Sequence, residues 1–358
     1  MSTRCAVVGA TGIAGQQFLS ALAEHPFLEV TRLAASSRSA GKKYIDAIRQ
    51  ENGQVSWYVE PELLARYADM EVYDGADMPL EGIDLVFSAI ESDAARALES
   101  RFAEHLPVVS TASAYRYESD VPIIIPAVNG DHASMLEAQR KNRGWQGFVV
   151  PIPNCTTTGL AIALAPLHRA FGIDKVVVTS LQAVSGAGRS PGVGSMDIVD
   201  NVVPYIPKEE EKVEKESQKL LGALSGDTIT PADFPVSATC TRVPVLEAHT
   251  ETVTVALKKA ATLDEVRECL TAFGKEINPG THPSAPKQWI TVHDDPFRPQ
   301  PRIDRDADGG MTTSVGRLRE ETVLGQGIRL VLVSHNTKMG AAKGAILVAE
   351  DLKLRGFI

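Results

Sequence analysis

Short apolar runs alternate with amphipathic stretches along the N-terminal part of the chain. Cys5-Ala6-Val7-Val8 is apolar throughout and predicts a strand. Gly9-Ala10-Thr11-Gly12-Ile13-Ala14-Gly15 interrupts it. The helix predicted next has apolar residues at 18, 19 and 22, the spacing of one helix face. Residues 28–35, 83–90 and 107–113 read as further strands, and a helix is predicted from Asp93. This alternation is the doubly wound α/β pattern, whose ligands lie beyond the carboxyl ends of the strands. A second pattern begins at 147–150, an extended apolar run. Pro151 and Pro153 stiffen the chain beyond it, and then come Cys155, three threonines and the apolar run 160–167, which reads as a helix. Further along, 174–184 is a long β-branched strand, 209–221 a charged helix, 251–257 an alternating strand with His249 at its start, and 328–333 a strand. A last helix runs from about 341 to 354, amphipathic enough to pack back on the first domain, with Gly356 as its stop.

Bulk properties narrow the classes. The 358 residues suffice for two domains, and 44% hydrophobic with 23% charged residues is ordinary globular composition. A formal charge of -9, with no Lys/Arg block, argues against a nucleic-acid partner. Four scattered cysteines without a CxxC pair argue against a zinc site or a disulfide framework, and no metal is expected. No apolar run reaches the length of a membrane span, and no signal peptide is read, so a cytoplasmic location is expected.

Several stretches carry candidate chemistry. The glycines at 9, 12 and 15 lie between a strand and a helix, where a dinucleotide pyrophosphate meets helix N–H groups; a turn that merely lets helix and strand pack closely is the plainer alternative. The second strand ends in Ser36-Ser37-Arg38-Ser39 rather than in the acid that binds a ribose 2′-hydroxyl. Hydroxyls and cations suit a 2′-phosphate, so NADP is expected over NAD, with Arg38 stacking on adenine or pairing with that phosphate. Ser88 and Arg116 are placed for the same ligand edge. Cys155 falls at a strand-to-helix turn, where the helix dipole favours a thiolate; the alternative is a small buried apolar cysteine. His249 is the partner a cysteine nucleophile needs. Glu209 and Lys212 share a helix face, although most charges of that helix read as solvated. The loop 185–192 is glycine-rich, and the acidic stretch 304–310 reads as a surface turn.

Taken together, Gly9 to Gln16, Pro153 to Leu160, Leu181-Gln182 with Ser185 to Gly188, Glu209 to Lys212, Arg242 to Val245 with His249, and Ser334 to Thr337 resemble the aspartate-semialdehyde dehydrogenases, in the branch typical of archaea, fungi and some bacteria. The resemblance runs from Val7 to the C-terminus. It implies an N-terminal Rossmann-like doubly wound domain over 1–150, completed by a helix in 337–358. An α+β catalytic and dimerisation domain on a mixed sheet would span 151–336. It implies NADPH-dependent conversion of L-4-aspartyl phosphate to L-aspartate 4-semialdehyde and phosphate, in lysine, methionine and threonine biosynthesis. Cys155 would be the nucleophile, His249 the acid/base and Gln182 the orienting amide. Arg242 and Glu209 would bind the substrate's carboxylate and amine, and Arg116, Lys212 and Asn154 its phosphate. Thr11, Gly12, Ile13, Ala14, Ser36, Ser37, Ser39, Ser88, Ser185, Gly186 and Asn336 would line the NADP site. A homodimer or homotetramer is implied. One departure is Ala248, where the family usually has Gly before the histidine; if φ is positive there, Ala costs on the order of 1 kcal/mol. Other readings are a malonyl-CoA reductase on the same scaffold, an N-acetyl-glutamyl-phosphate reductase, and a silent NADP-binding protein. The first two substrates offer no charged amine for Glu209.

Overall fold

The computed structural model describes residues 2–187 and 195–358. The chain divides into two compact units: 1–122 with 133–152 and 345–358, and 123–132 with 153–344.

The first unit is built on six parallel strands: β1 (Thr3–Val8), β2 (Leu28–Ala35), β3 (Val72–Asp74), β4 (Leu85–Ser88), β5 (Pro107–Ser110) and β6 (Phe148–Pro151). Their order is β3-β2-β1-β4-β5-β6. The order reverses between β1 and β4, and the crevice at such a reversal is where doubly wound sheets take ligands. Helices α1 (Ile13–Leu22), α2 (Ser92–Ala103) and α3 (Met135–Arg143) belong to this unit. Both faces of its sheet are covered, and β4 is buried at every position. Val8, Met78, Val86, Phe102 and Val149 form part of its core. The last helix of the chain joins the unit from Ala345 onward. Its Glu350 pairs with His25 at 2.8 Å, and Lys353 donates to the Thr3 hydroxyl at 2.8 Å.

The second unit carries β7 (Ile173–Gln182), a small hairpin of β8 (Ala223–Ser225) and β9 (Thr228–Thr230), then β10 (Val236–Arg242), β11 (His249–Leu257), β12 (Ile290–Val292), β13 (Thr313–Glu321) and β14 (Gly327–Ser334). The main sheet is mixed, in the order β10-β7-β11-β14-β13-β12. Helix α4 (Cys155–Phe171), buried at every residue from Thr156 to Leu167, packs on this sheet. Two further helices, α5 (Glu209–Leu220) and α6 (Leu263–Ala272), pack beside it. The final helix is α7 (Ala342–Leu354). The other face of the sheet is open within one chain: Val177, Thr239 and Thr252 are exposed and Thr179, Leu181 and Thr250 half-buried.

Several expectations need correction. The strands expected over 83–90 and 107–113 are shorter, Leu85–Ser88 and Pro107–Ser110. Strands β3 and β12 are too short to show an alternation, and β13 holds a register shift between Gly316 and Arg319 and a positive φ at Arg317; β10 does alternate, with Val236, Ala238 and Cys240 buried between polar residues, but is not among the expected elements. The stretch 304–310 is not simply a surface turn: Asp304 is buried, pairs with Arg298 and accepts from the Gln300 N–H at 2.6 Å. Helix α5 is not merely solvated, since Glu209 and Glu216 lie on its buried face. Residues 188–192 of the glycine-rich loop lie outside the described residues.

Candidate active site

Cys155 is the first residue of α4. Asn154 precedes it as the helix cap, and its side-chain oxygen accepts from the N–H groups of Thr156 (2.9 Å) and Thr157 (3.3 Å). A capped first turn fixes the backbone that presents the thiol. The sulfur lies 3.2 Å from Nε2 of His249, the first residue of β11. His249 is completely buried. Its Nδ1 accepts from the Ala183 N–H at 3.1 Å. That bond assigns the ring hydrogen of the neutral imidazole to Nε2, facing the sulfur. Burial, then the charges of Arg242 and His335, pushes the imidazolium form down to about 3, so the ring is neutral across the physiological range.

The peptide of Ala183 holds a second group. Its carbonyl accepts from Nη1 of Arg242 at 2.8 Å. Arg242 ends β10, the strand beside β7, and lies in register with Gln182. Burial weakens its guanidinium's hold on the proton, while the Cys155 and Glu209 charges act the other way. A mutual pair of backbone bonds with Val203 fixes Arg242's main chain. The next inward-facing row of the sheet, Cys240, Ser180 and Glu251, lies beneath. Ser180 Oγ accepts from Gln182 Nε2 at 3.2 Å. Glu251 is fully buried with both oxygens unpartnered among the described residues, and burial pushes its carboxyl well above the usual range.

On α5, Glu209 Oε1 accepts from Asn154 Nδ2 at 2.8 Å and Oε2 from Lys212 at 3.3 Å. Asn336 bridges two loops: its oxygen accepts from the Ala248 N–H at 2.8 Å, and its nitrogen donates to Ser185 Oγ at 2.9 Å. Ala248 has φ 75, the left-handed region anticipated for it. Gly186 lies so close to the site that a Cβ there would stand 2.9 Å from Arg242 Nη1 and 3.2 Å from His249 Cε1. The second unit therefore brings together Cys155, His249, Arg242, Gln182, Asn154, Glu209, Lys212, Ser185, Gly186 and Asn336.

The remaining candidates lie in the first unit. Helix α1 has Gly12 as its cap residue and no side-chain cap, and a Cβ at Gly12 would meet nothing nearer than 3.5 Å. Thr11, Ile13 and Ala14 flank it, half-buried. Gly9, with φ +86, lets β1 pass the end of β4; a Cβ there would stand 2.4 Å from the Ala89 carbonyl. Ser36, Ser37 and Arg38 are exposed and Ser39 half-buried, and no carboxylate stands among them. An exposed, uncapped helix start and an acid-free strand end fit a dinucleotide with a 2′-phosphate. Arg116 is buried, and its Nη2 donates to the Thr111 carbonyl at 2.8 Å. Ser88 is fully buried and donates to Glu99 at 2.7 Å, as Ser110 does at 2.5 Å. Burial pushes the Glu99 carboxyl up to about 7, against the two hydroxyls and Arg116.

Sequence reasoning missed Glu99, Glu216 and the Ala183 peptide. Only Glu216 left a signal: it follows Glu209 by two helical turns, on the face that Val213 and Leu220 bury. Among the described residues no group of three or more His, Cys, Asp or Glu is disposed to hold a metal ion, and no helix is long and apolar enough to cross a membrane.

Comparison with known proteins gives a consistent picture. Residues 4–136 match the family described as semialdehyde dehydrogenase, NAD binding domain, and residues 164–339 the semialdehyde dehydrogenase, dimerisation domain. The aspartate-semialdehyde dehydrogenase of Methanothermobacter thermautotrophicus is 48% identical over 346 residues, 96% of this chain and 97% of that protein. That of Archaeoglobus fulgidus is 46% identical over 96% of both. The crystal structure of aspartate semialdehyde dehydrogenase with NADP from Candida albicans superimposes with a TM-score of 0.88 at 40% identity, covering 100% of each chain.

Proposed function

The chain belongs to the aspartate-semialdehyde dehydrogenase family, and from that membership we propose how its residues interconvert L-4-aspartyl phosphate and L-aspartate 4-semialdehyde with NADP and phosphate. The observation that carries the reading is Cys155 at the start of α4 with His249 Nε2–H 3.2 Å from its sulfur.

Cys155 attacks the acyl carbon of the substrate. The C–S bond forms, the bond to the phosphate oxygen breaks, and phosphate leaves with that electron pair, giving an acyl-thioester. His249 stays neutral, so its Nε2–H is a donor to the thiolate and then to the negative oxygen that develops on the substrate carbon. The acid/base role expected of His249 is then that of a hydrogen-bond donor: each oxyanion collapses by expelling phosphate or the thiolate, so Nε2 keeps its hydrogen throughout. Gln182, steadied by Ser180, orients the tetrahedral adduct. Arg242 receives the substrate carboxylate and Glu209 its amine, a pair that reads the opposite charges of an amino acid. Asn154, Lys212 and Arg116 take the phosphate.

NADP would be held by Thr11, Gly12, Ile13 and Ala14 at the α1 start, by Ser36, Ser37, Arg38 and Ser39 at the 2′-phosphate, and by Ser88, Ser185, Gly186 and Asn336. When bound, it supplies the hydride that relates thioester to aldehyde. In our reading the protein works in the cytoplasm as a homodimer or homotetramer that buries the open face of the β7–β11 sheet.

The test is NADPH formation from L-aspartate semialdehyde, with and without phosphate, in wild type and Cys155→Ser. Turnover that needs phosphate and disappears in the variant is expected. Turnover independent of phosphate, or retained without the thiol, overturns the reading.

A further inference from the structure

Helix α5 is rich in acid, and its glutamates do different things. Glu210 Oε1 accepts from the Cys240 N–H at 3.0 Å, and Glu214 Oε1 from the Ala238 N–H at 3.1 Å. Those N–H groups belong to β10, the edge of the sheet, so these two residues close an edge that would otherwise be open. Glu216 is different. It is completely buried, at a position where a leucine would pack. A buried carboxylate is costly unless it is hydrogen-bonded, so its place calls for a partner. Its Oε2 accepts from the main-chain N–H of Asn154 at 2.6 Å.

The meaning of that bond appears beside α6. There Thr262 caps the helix and accepts from the Glu265 N–H, while Glu265 Oε2 accepts from the Thr262 N–H at 2.8 Å. Both halves of this capping box come from one turn of chain. At α4 the cap is Asn154, and the residue three positions on is Thr157, whose hydroxyl is unpartnered among the described residues. It supplies no second half. Glu216 does so from another helix, while Glu209 holds the Asn154 side chain. The cap next to Cys155 is thus gripped at its backbone and at its amide by two carboxylates seven residues apart on α5.

We propose that Glu216 is a positioning residue for the Cys155 reaction: it completes the cap of α4 from outside the helix and so fixes where Cys155 points its sulfur. Among the described residues, the charges gathered around that helix start include Arg242 on β10 and Glu209, Lys212 and Glu216 on α5, with neutral His249 on β11. Glu216 acts in this set as a negative charge as well as an acceptor. It holds the geometry and disfavours the thiolate at the same time.

Two variants separate these roles, and two readouts separate both from packing. Glu216→Ala removes acceptor and charge; Glu216→Gln keeps an acceptor and removes the charge. In the full-length protein, Glu216→Ala should lower kcat about thirtyfold or more, leaving the KM for NADP unchanged, and Glu216→Gln should recover about tenfold of that loss. Iodoacetamide alkylation of Cys155, mapped by peptide mass across pH, should have its midpoint about half a unit or more lower in Glu216→Gln than in wild type, because a nearby negative charge is gone. Loss of packing alone would not move that midpoint downward. Glu216→Ala turning over within about threefold of wild type overturns the proposal. So does an alkylation midpoint in Glu216→Gln that stays at or rises above the wild-type value. If Glu216→Ala does not fold, the Glu216→Gln profile decides alone. The alkylation arm needs no substrate, so it stands apart from any failure of the proposed reaction, on which only the turnover arm rests.

Discussion

Helices α1 and α4 each begin just after a strand, and they begin in opposite ways. Helix α1 starts at Gly12 with no side chain on its first N–H groups, and a Cβ there would make only an ordinary contact, 3.5 Å from the Gly9 carbonyl oxygen. Helix α4 starts at Asn154, whose amide takes two of its first N–H groups and is itself held by Glu209. The same backbone feature, a positive helix end, serves two purposes. Left bare, it is a place for an external anion. Filled by an internal amide, it becomes a rigid mount for the thiol beside it. The difference lies in one residue, Gly against Asn.

The largest effect should come from removing what the second start presents. Cys155→Ala should lower kcat at least ~10⁴-fold while NADP binding, measured by fluorescence titration, stays at its wild-type value. A comparable loss of NADP affinity would mean the two starts are not separate in function.

Next is the first turn. Gly9→Ala places a methyl 2.4 Å from the Ala89 carbonyl at a φ of +86. It should destabilise the protein by roughly 3 kcal/mol or more, seen as a lower midpoint in urea. An unchanged midpoint would show that the turn can open to admit the side chain.

Glu99 tests the strand ends beside that turn. Its carboxyl titrates near 7 folded against 4.5 ordinarily. Between those values the folded state binds more protons than the unfolded one, so the stability falls as pH rises through the window. Glu99→Gln should therefore stabilise the protein at pH 8, by ~3 kcal/mol at most, and do little at pH 5. Equal effects at both pH values would count against a titrating Glu99. His249 has the opposite sign: its folded value near 3 lies below the ordinary 6.5, so its contribution is complete above 6.5 and fades as pH falls toward 3.

Asn154→Ala should cost ~1–2 kcal/mol, the usual loss for a helix cap, and lower kcat about tenfold or more with NADP affinity unaltered. The smallest effect belongs to Ala248→Gly. Relief of the positive φ, offset by a lost methyl, should raise stability by ~1 kcal/mol or less, read as a small rise in Tm.

The parts legible in the sequence were those whose cause is local. The glycine turn, Cys155 ahead of an apolar helix, and His249 at the head of an alternating strand are each carried by a few adjacent residues. The positive φ at Ala248 was raised only as a condition, from the resemblance to a family with Gly there, and the structure has it at 75°. Glu216 was missed, while Glu209 was singled out, because charge in a helix ordinarily means solvent. Burial of Glu209 and Glu216 depends on what faces the helix, and α5 faces α4 and β10. Glu99 was missed for the same reason: its two serine donors end separate strands.

The sequence by itself determined the strand–helix alternation of the first domain, the two helix starts and the types of reactive side chain, because propensity, periodicity and capping act within a turn or two of chain. Tertiary structure alone decided the protonation and aim of those side chains. One peptide, at Ala183, assigns the hydrogen of His249 and anchors Arg242, and it does so from just past the end of β7, 66 residues from the first and 59 from the second. Hydrogen-bond direction and desolvation depend on which groups meet in space, and no local pattern along the chain encodes that meeting.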